Sequence, residues 1–186
     1  MSKKGSFTTS DYIDFNLATE KANNLLKEDK TKIIGLYIIV SINTGLRISD
    51  VLKLTWEQLN SDLITINEKK TGKKKTIKIN NNIKDALMNF ERDKTGLVFL
   101  SQKKSVFSRQ HINKLIKDVF SNECKNLSIS SHSLRKGFAR SLYSKHGESD
   151  KILMYLSEIL NHTSVQTTRK YLGLRQAELN DIYDSL

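Results

Sequence analysis

Residues 31–52 read TKIIGLYIIVSINTGLRISDVL. Ile33, Ile34, Leu36, Tyr37, Ile38, Ile39, Val40 and Ile42 put apolar side chains on nearly every face of a helix over 31–43. A helix that is apolar all round sits in the middle of a core. The run from Ile33 to Ile42 is too short for a membrane span, which needs roughly twenty residues, and Gly35 and Ser41 interrupt it. Gly45 ends the helix, because glycine readily takes the left-handed conformation found just past helix C-termini. Arg47 follows at once in an apolar setting, where a charge is expensive to bury unless paired. Asp50, three residues on, can face it from the same helical turn. Taken alone, this pair reads first as a structural ion pair.

Outward from this helix the signals stay helical, with one change of period. Ser10 or Asp11 is placed to cap a first helix reaching to about Lys27. Short helical turns are expected at 47–52 and 55–58. Residues 63–66 and 76–79 then alternate apolar and polar side chains, as half-buried strands do. The lysine-rich segment 67–75, with Gly72, reads as the turn of a hairpin. A helix near 82–92 follows, and Leu97-Val98-Phe99 is expected to add a third strand. Beyond Ser108 the expected helices are 108–123, 131–145, 150–160, 164–171 and 174–185. The fold class is therefore mainly α (α+β), a helical domain with a small antiparallel three-stranded sheet. Trp56, Tyr12, Tyr37, Tyr143, Tyr155 and Tyr183 are read as packing residues, and His111 and His146 as surface or capping groups.

The 186 residues suit one domain, and the formal net charge of +11 favours a polyanion as partner. Lys, Asn and Ile are abundant and proline is absent. Codon bias explains part of the lysine excess, so placed residues carry more of the argument than bulk charge does. Cys124 is the only cysteine, which rules out an intramolecular disulfide and suits a reducing cytoplasm. The start, Met1-Ser2-Lys3-Lys4, leads into polar residues and not into a signal peptide. There is no Walker loop and no cluster of metal-ligand spacing, so neither a nucleotide nor a metal cofactor is expected. No small-molecule substrate is indicated.

Three further stretches matter. His132-Ser133-Leu134-Arg135 puts an imidazole and a guanidinium at i and i+3, on one helical face. Ser130 or Ser131 caps that helix, whose N-terminus favours anions. Leu160-Asn161-His162 precedes Thr167-Thr168-Arg169-Lys170-Tyr171, with His162 nine positions before Tyr171. Each motif alone is weak; a lone tyrosine is usually a core residue. In order, from about Ile33 to Leu172, they resemble the tyrosine recombinase (phage integrase) family. Thr44-Gly45-Leu46-Arg47 and the His-x-x-Arg box match well. The family's usual Leu-Gly-His is here Leu-Asn-His, a tolerable change because Asn accepts left-handed backbone.

The resemblance implies a catalytic set of Arg47, Lys70, His132, Arg135, His162 and Tyr171, with Asp50 orienting it from behind. Lys70 is the best match for the hairpin lysine, with Lys69, Lys73, Lys74 and Lys75 within reach. These lysines and Lys136 are expected to bind DNA. The implied partner is double-stranded DNA bearing a specific recombination site, with a tetramer formed in synapsis and residues 174–186 docking on a neighbour. The whole of 1–186 is expected to be one catalytic domain, without the N-terminal DNA-clamping domain of larger relatives. The residue types fit the chemistry. Two guanidiniums can grip a phosphodiester bidentately and neutralise transition-state charge. His132 can assist deprotonation of the tyrosine, and a lysine can protonate the leaving 5′-oxygen. A type IB topoisomerase and a catalytically silent DNA-binding regulator of the same fold remain rival readings.

Overall fold

A computed structural model of the chain describes residues 10–67, 72, 74–91, 93–174 and 183–185. Its centre is α2 (Lys32–Thr44), with ten of its residues buried. Each Ile or Leu fully buried there stabilises the fold by about 1.5–3 kcal/mol. Helix α1 (Phe15–Leu26) turns Ala18, Ala22 and Leu26 inward against α2. The helices approach closely at Gly35, where a Cβ would sit 2.7 Å from the Ala22 carbonyl oxygen. The cap of α1 is Asp14, whose Oδ1 accepts from the backbone N–H groups of Asn16 and Leu17. It is not Ser10 or Asp11, because residues 10–13 are extended along another part of the chain and their backbone bonds there.

After α2 come two four-residue helices, α3 (Ile48–Val51) and α4 (Trp56–Leu59). Strands β1 (Leu63–Asn67) and β2 (Lys74–Lys78) pair antiparallel, Leu63 opposite Lys78 and Asn67 opposite Lys74. Directly opposed residues share a face, so Ile64 and Ile66 lie beside Ile77 and Lys75 on the inner side. The sheet has two strands, not the expected three. Residues 97–99 make only isolated bridges: Val98 N–H donates to Leu54 O, and Phe107 N–H donates to Phe99 O. The triplet divides its backbone bonds between two different neighbours, so no ladder propagates. Val98 and Phe99 are buried as core anchors instead.

Helices α5 (Asn81–Leu87), α6 (Arg109–Val119), α7 (Ser131–Lys145), α8 (Asp150–Ile159) and α9 (Val165–Leu172) complete the described elements. Helices α5 and α6 end several residues short of the expected bounds, α7 matches them, and α8 and α9 differ by a single residue at their ends. A second apolar cluster joins Phe138, Leu153, Leu156, Leu160, Tyr171 and Leu172, so α7, α8 and α9 pack as a unit. Helix α7 also crosses α2 and links this unit to the main core. Trp56 anchors the core against Phe90, and Tyr37 is buried. Tyr12, Tyr155 and Tyr183, expected to pack, are 44%, 49% and 72% exposed. Among the described residues no helix is long and apolar enough to cross a membrane. The expected helix at 174–185 falls mostly outside the described residues.

Candidate active site

The site is assembled where three helix termini meet: the end of α2, the start of α7 and the end of α8. Gly45 caps α2 with φ +59°. A Cβ there would also strike the Phe138 ring, 2.3 Å away, so glycine is required on two counts. This turn sends Arg47 out as the N-cap residue of α3, half-buried. Asp50 is buried beneath it, and its backbone N–H returns to Arg47 O at 2.8 Å.

Helix α7 begins with a reciprocal cap: Ser130 Oγ accepts from the His132 backbone, and the Ser130 N–H donates to Ser133 Oγ. That fixes where His132, Arg135 and Lys136 emerge. Arg135 is almost fully buried, at 3% exposure. Burying a guanidinium is tolerable only if its N–H groups are satisfied. Its Nη1 donates to the Gly45 carbonyl and its Nη2 to the Leu160 carbonyl at 2.6 Å.

The Leu160 carbonyl also accepts from Arg47 Nη2 at 3.3 Å. One residue earlier, the Ile159 carbonyl accepts from Lys75 Nζ at 2.7 Å. The C-terminus of α8 therefore gathers three cations, and it is the negative end of the helix dipole. Asn161 makes this possible by adopting φ +52°. The chain then turns so that the His162 N–H closes back on Ser157 O.

His162 Nδ1 lies 3.0 Å from Oγ1 of the fully buried Thr168. Its ring meets that of Tyr171 edge-on, centroids 5.0 Å apart at 72°. Tyr171 itself is 9% exposed, and its hydroxyl completes no hydrogen bond among the described residues. Burial pushes the phenol up to about 12, against the nearby Arg135, which favours the phenolate by charge and as a potential donor, and against Arg47. The phenol is thus fully protonated at neutral pH.

A raised folded-state pKa stabilises below the unfolded value, near 10, and that stability is lost as pH climbs through the folded value. Stability should therefore decline between about pH 10 and 12, and Tyr171→Phe should remove about 2 kcal/mol of that decline. Urea unfolding of both proteins across this range checks it; equal slopes would refute it.

The structure thus brings Arg47, Arg135, His162 and Tyr171 into one region, together with Lys75; Asp50 is buried on the helix that Arg47 caps, and His132 stands one turn before Arg135 at the start of α7. Lys69, Lys70 and Lys73 lie outside the described residues. Lys74 is exposed on the hairpin, whereas Lys75 is half-buried with its ammonium at the site. Lys136 is half-buried against Tyr171, its Nζ 5.3 Å from the ring centroid. Two participants escaped sequence reasoning. The Leu160 carbonyl is a backbone group with no side-chain signature. Thr168, one turn before Tyr171, would have been legible only with the α9 boundaries in hand.

A profile of the phage integrase family matches residues 16–178. The chain belongs to this family. Within it, the probable integrase/recombinase YoeC of Bacillus subtilis (strain 168) is 32% identical over 151 residues, 78% of this chain and 80% of YoeC. The tyrosine recombinase XerC of Xanthomonas campestris pv. campestris (strain B100) is 27% identical over 149 residues, 77% of this chain and 45% of XerC. The chain thus spans about half the length of this XerC. Among solved structures, XerA recombinase superposes with a TM-score of 0.69 at 21% identity, covering 96% of this chain and 65% of XerA. XerH in its pre-cleavage complex with difH also gives 0.69, at 22% identity, over 96% and 54% of the two chains. At such identities these recombinase structures show a shared fold alone, mainly helical with a small sheet.

Proposed function

We propose that this phage integrase family member is the catalytic unit of a site-specific recombinase that cuts and rejoins double-stranded DNA in the cytoplasm through Tyr171. The observation that carries the reading is a buried tyrosine hydroxyl, without a completed hydrogen bond among the described residues, beside two guanidiniums held on one carbonyl. Each terminal guanidinium nitrogen has two hydrogens. Anchoring on Leu160 O is therefore compatible with donation to a phosphate oxygen.

Tyr171 Oη attacks the phosphorus. The P–O5′ bond breaks, leaving a 3′-phosphotyrosyl link and a free 5′-hydroxyl. The phenolic proton passes to His132 as general base, and the 5′-oxygen receives a proton from a hairpin lysine, Lys70 in this reading. Arg47 and Arg135 neutralise the charge that builds on the non-bridging oxygens, and His162, aimed by Thr168, donates to the same phosphate. Asp50 orients the Arg47 turn. Because the phosphoryl bond is conserved in the link, a 5′-hydroxyl from another strand reverses the step and completes recombination. Lys69, Lys73, Lys74 and Lys75 supply phosphate contacts, and residues 174–186 dock on a neighbouring subunit in a synaptic tetramer.

The test is covalent capture. The purified protein is incubated with nicked duplexes of randomised sequence, and SDS-stable adducts are recovered and sequenced. Recovered duplexes with a common sequence are expected. Their affinity should fall linearly with salt on a log–log plot, with a slope of roughly −5 or steeper, as about six phosphate contacts produce. Sequence-selective binding without any adduct would identify a silent regulator instead.

A further inference from the structure

We propose that Lys136 is a positioning residue for the nucleophile, holding the Tyr171 ring in register with the arginines while it is itself held by the chain segment that precedes α1. The inference rests on the reading of Tyr171 as nucleophile. Lys136 follows Arg135 on α7, so one turn of helix delivers both an arginine to the phosphate position and an ammonium to the tyrosine. Its Nζ sits 5.3 Å from the Tyr171 ring centroid and donates to the Ser10 carbonyl at 2.7 Å. These two contacts fix the ammonium between the ring and the backbone of a distant segment.

That segment is firmly attached. Ser10 Oγ lies 2.8 Å from Ser130 Oγ, Asp11 N–H donates to Ser128 O, and Ser128 N–H donates to Asp11 Oδ2 at 2.7 Å. Ile13 N–H donates to Ser133 O, and Ile13 is buried. Its carbonyl passes so close to α7 that a Cβ on Gly137 would lie 2.1 Å from it. Gly137 therefore lets the segment lie flat on the helix beside Lys136.

The placement is costly for a lysine that merely coats a surface. Burial pushes its ammonium pKa down, opposed by the Asp11 carboxylate and reinforced by Arg140, and a pinned lysine forfeits rotamer freedom. A cation near an aromatic face is attracted to it. With His162 edge-on at 5.0 Å, the Tyr171 ring is held from two elements, α7 and the turn after α8. Aim matters, because a misplacement of about 1 Å can cost about 10²-fold in rate.

The experiment uses the full chain and a duplex recovered by covalent capture. Lys136→Met keeps the stem and removes the charge; Lys136→Gln keeps an N–H for the Ser10 carbonyl and serves if the Met variant unsettles the fold; Lys136→Arg keeps a cation. Single-turnover cleavage at saturating DNA should slow about ten-fold in the Met and Gln variants and recover largely in the Arg variant. Kd and its salt slope should match the unaltered protein, in place of the DNA contact first expected of Lys136, because its ammonium is directed to Ser10 O and the Tyr171 ring. Unchanged cleavage at saturation with a weaker Kd and a salt slope shallower by about one marks Lys136 as a phosphate contact and overturns the proposal. Equal rates in all variants overturn it too. Absence of any adduct from the unaltered protein overturns the cleavage reading itself, and this inference with it.

Discussion

Tyr171→Phe is expected to bind DNA as tightly as the unaltered protein and to form no SDS-stable adduct. The substitution removes one oxygen and keeps the ring, so the edge-on contact with His162 and the Lys136 ammonium over the ring survive. The lost hydroxyl completes no hydrogen bond among the described residues, so no donor or acceptor there is stranded and Tm should hold or rise. Removing a nucleophile costs far more than removing an auxiliary group; a loss of at least ~10⁴-fold is the expected scale. A gel-shift titration and a denaturing gel on the same samples check both halves. An adduct formed by the Phe variant would take Tyr171 out of the role, and the first place to look would then be the exposed tyrosines.

The second large effect separates the two arginines. Arg47→Lys should cut single-turnover cleavage by at least ~10²-fold, the scale of losing one transition-state donor, because an ammonium cannot reproduce a planar bidentate grip. Its Tm should stay near that of the unaltered protein, since Arg47 is only half-buried and its bond to Leu160 O is long, at 3.3 Å. Arg135→Lys should lose cleavage and also about 1.5–3 kcal/mol of stability, the range for hydrogen bonds to a charged group. Arg135 is buried and ties the Gly45 turn to the end of α8. Cleavage rates paired with urea unfolding distinguish them. Near-normal cleavage by Arg47→Lys would make Arg47 a structural residue.

Much of the fold was legible in local pattern. The all-apolar run at 31–43 announced a central helix, and α2 is buried on nearly every side. Alternation at 63–66 and 76–79 announced a hairpin, and those strands pair. The third strand failed because an apolar triplet is equally suited to a strand and to a buried connector; which it becomes depends on its backbone partners, here Leu54 O, which accepts from Val98, and Phe107 N–H, which donates to Phe99. The cap of α1 was misplaced for a similar reason. Ser10 and Asp11 are good cap residues, but their bonding groups are engaged by Ser128, Ser130 and Lys136 from far along the chain.

The sequence by itself determined the residue types and their order: a helix-ending glycine before Arg47, an imidazole and guanidinium one turn apart, an Asn able to take left-handed backbone at 161, and a tyrosine at the end of the last basic helix. These are local properties, set by helical period and backbone sterics within a few residues. Only the tertiary structure decided that Arg47 and Arg135 meet on one carbonyl, that Lys75 reaches the carbonyl beside it, and that Lys136 faces Tyr171. Those contacts span 113, 25 and 84 residues of chain for Arg47, Arg135 and Lys75. They exist because α7 packs on both α2 and α8, bringing the end of one core helix against the end of another, and no periodicity along the chain encodes which backbone oxygen will be waiting there.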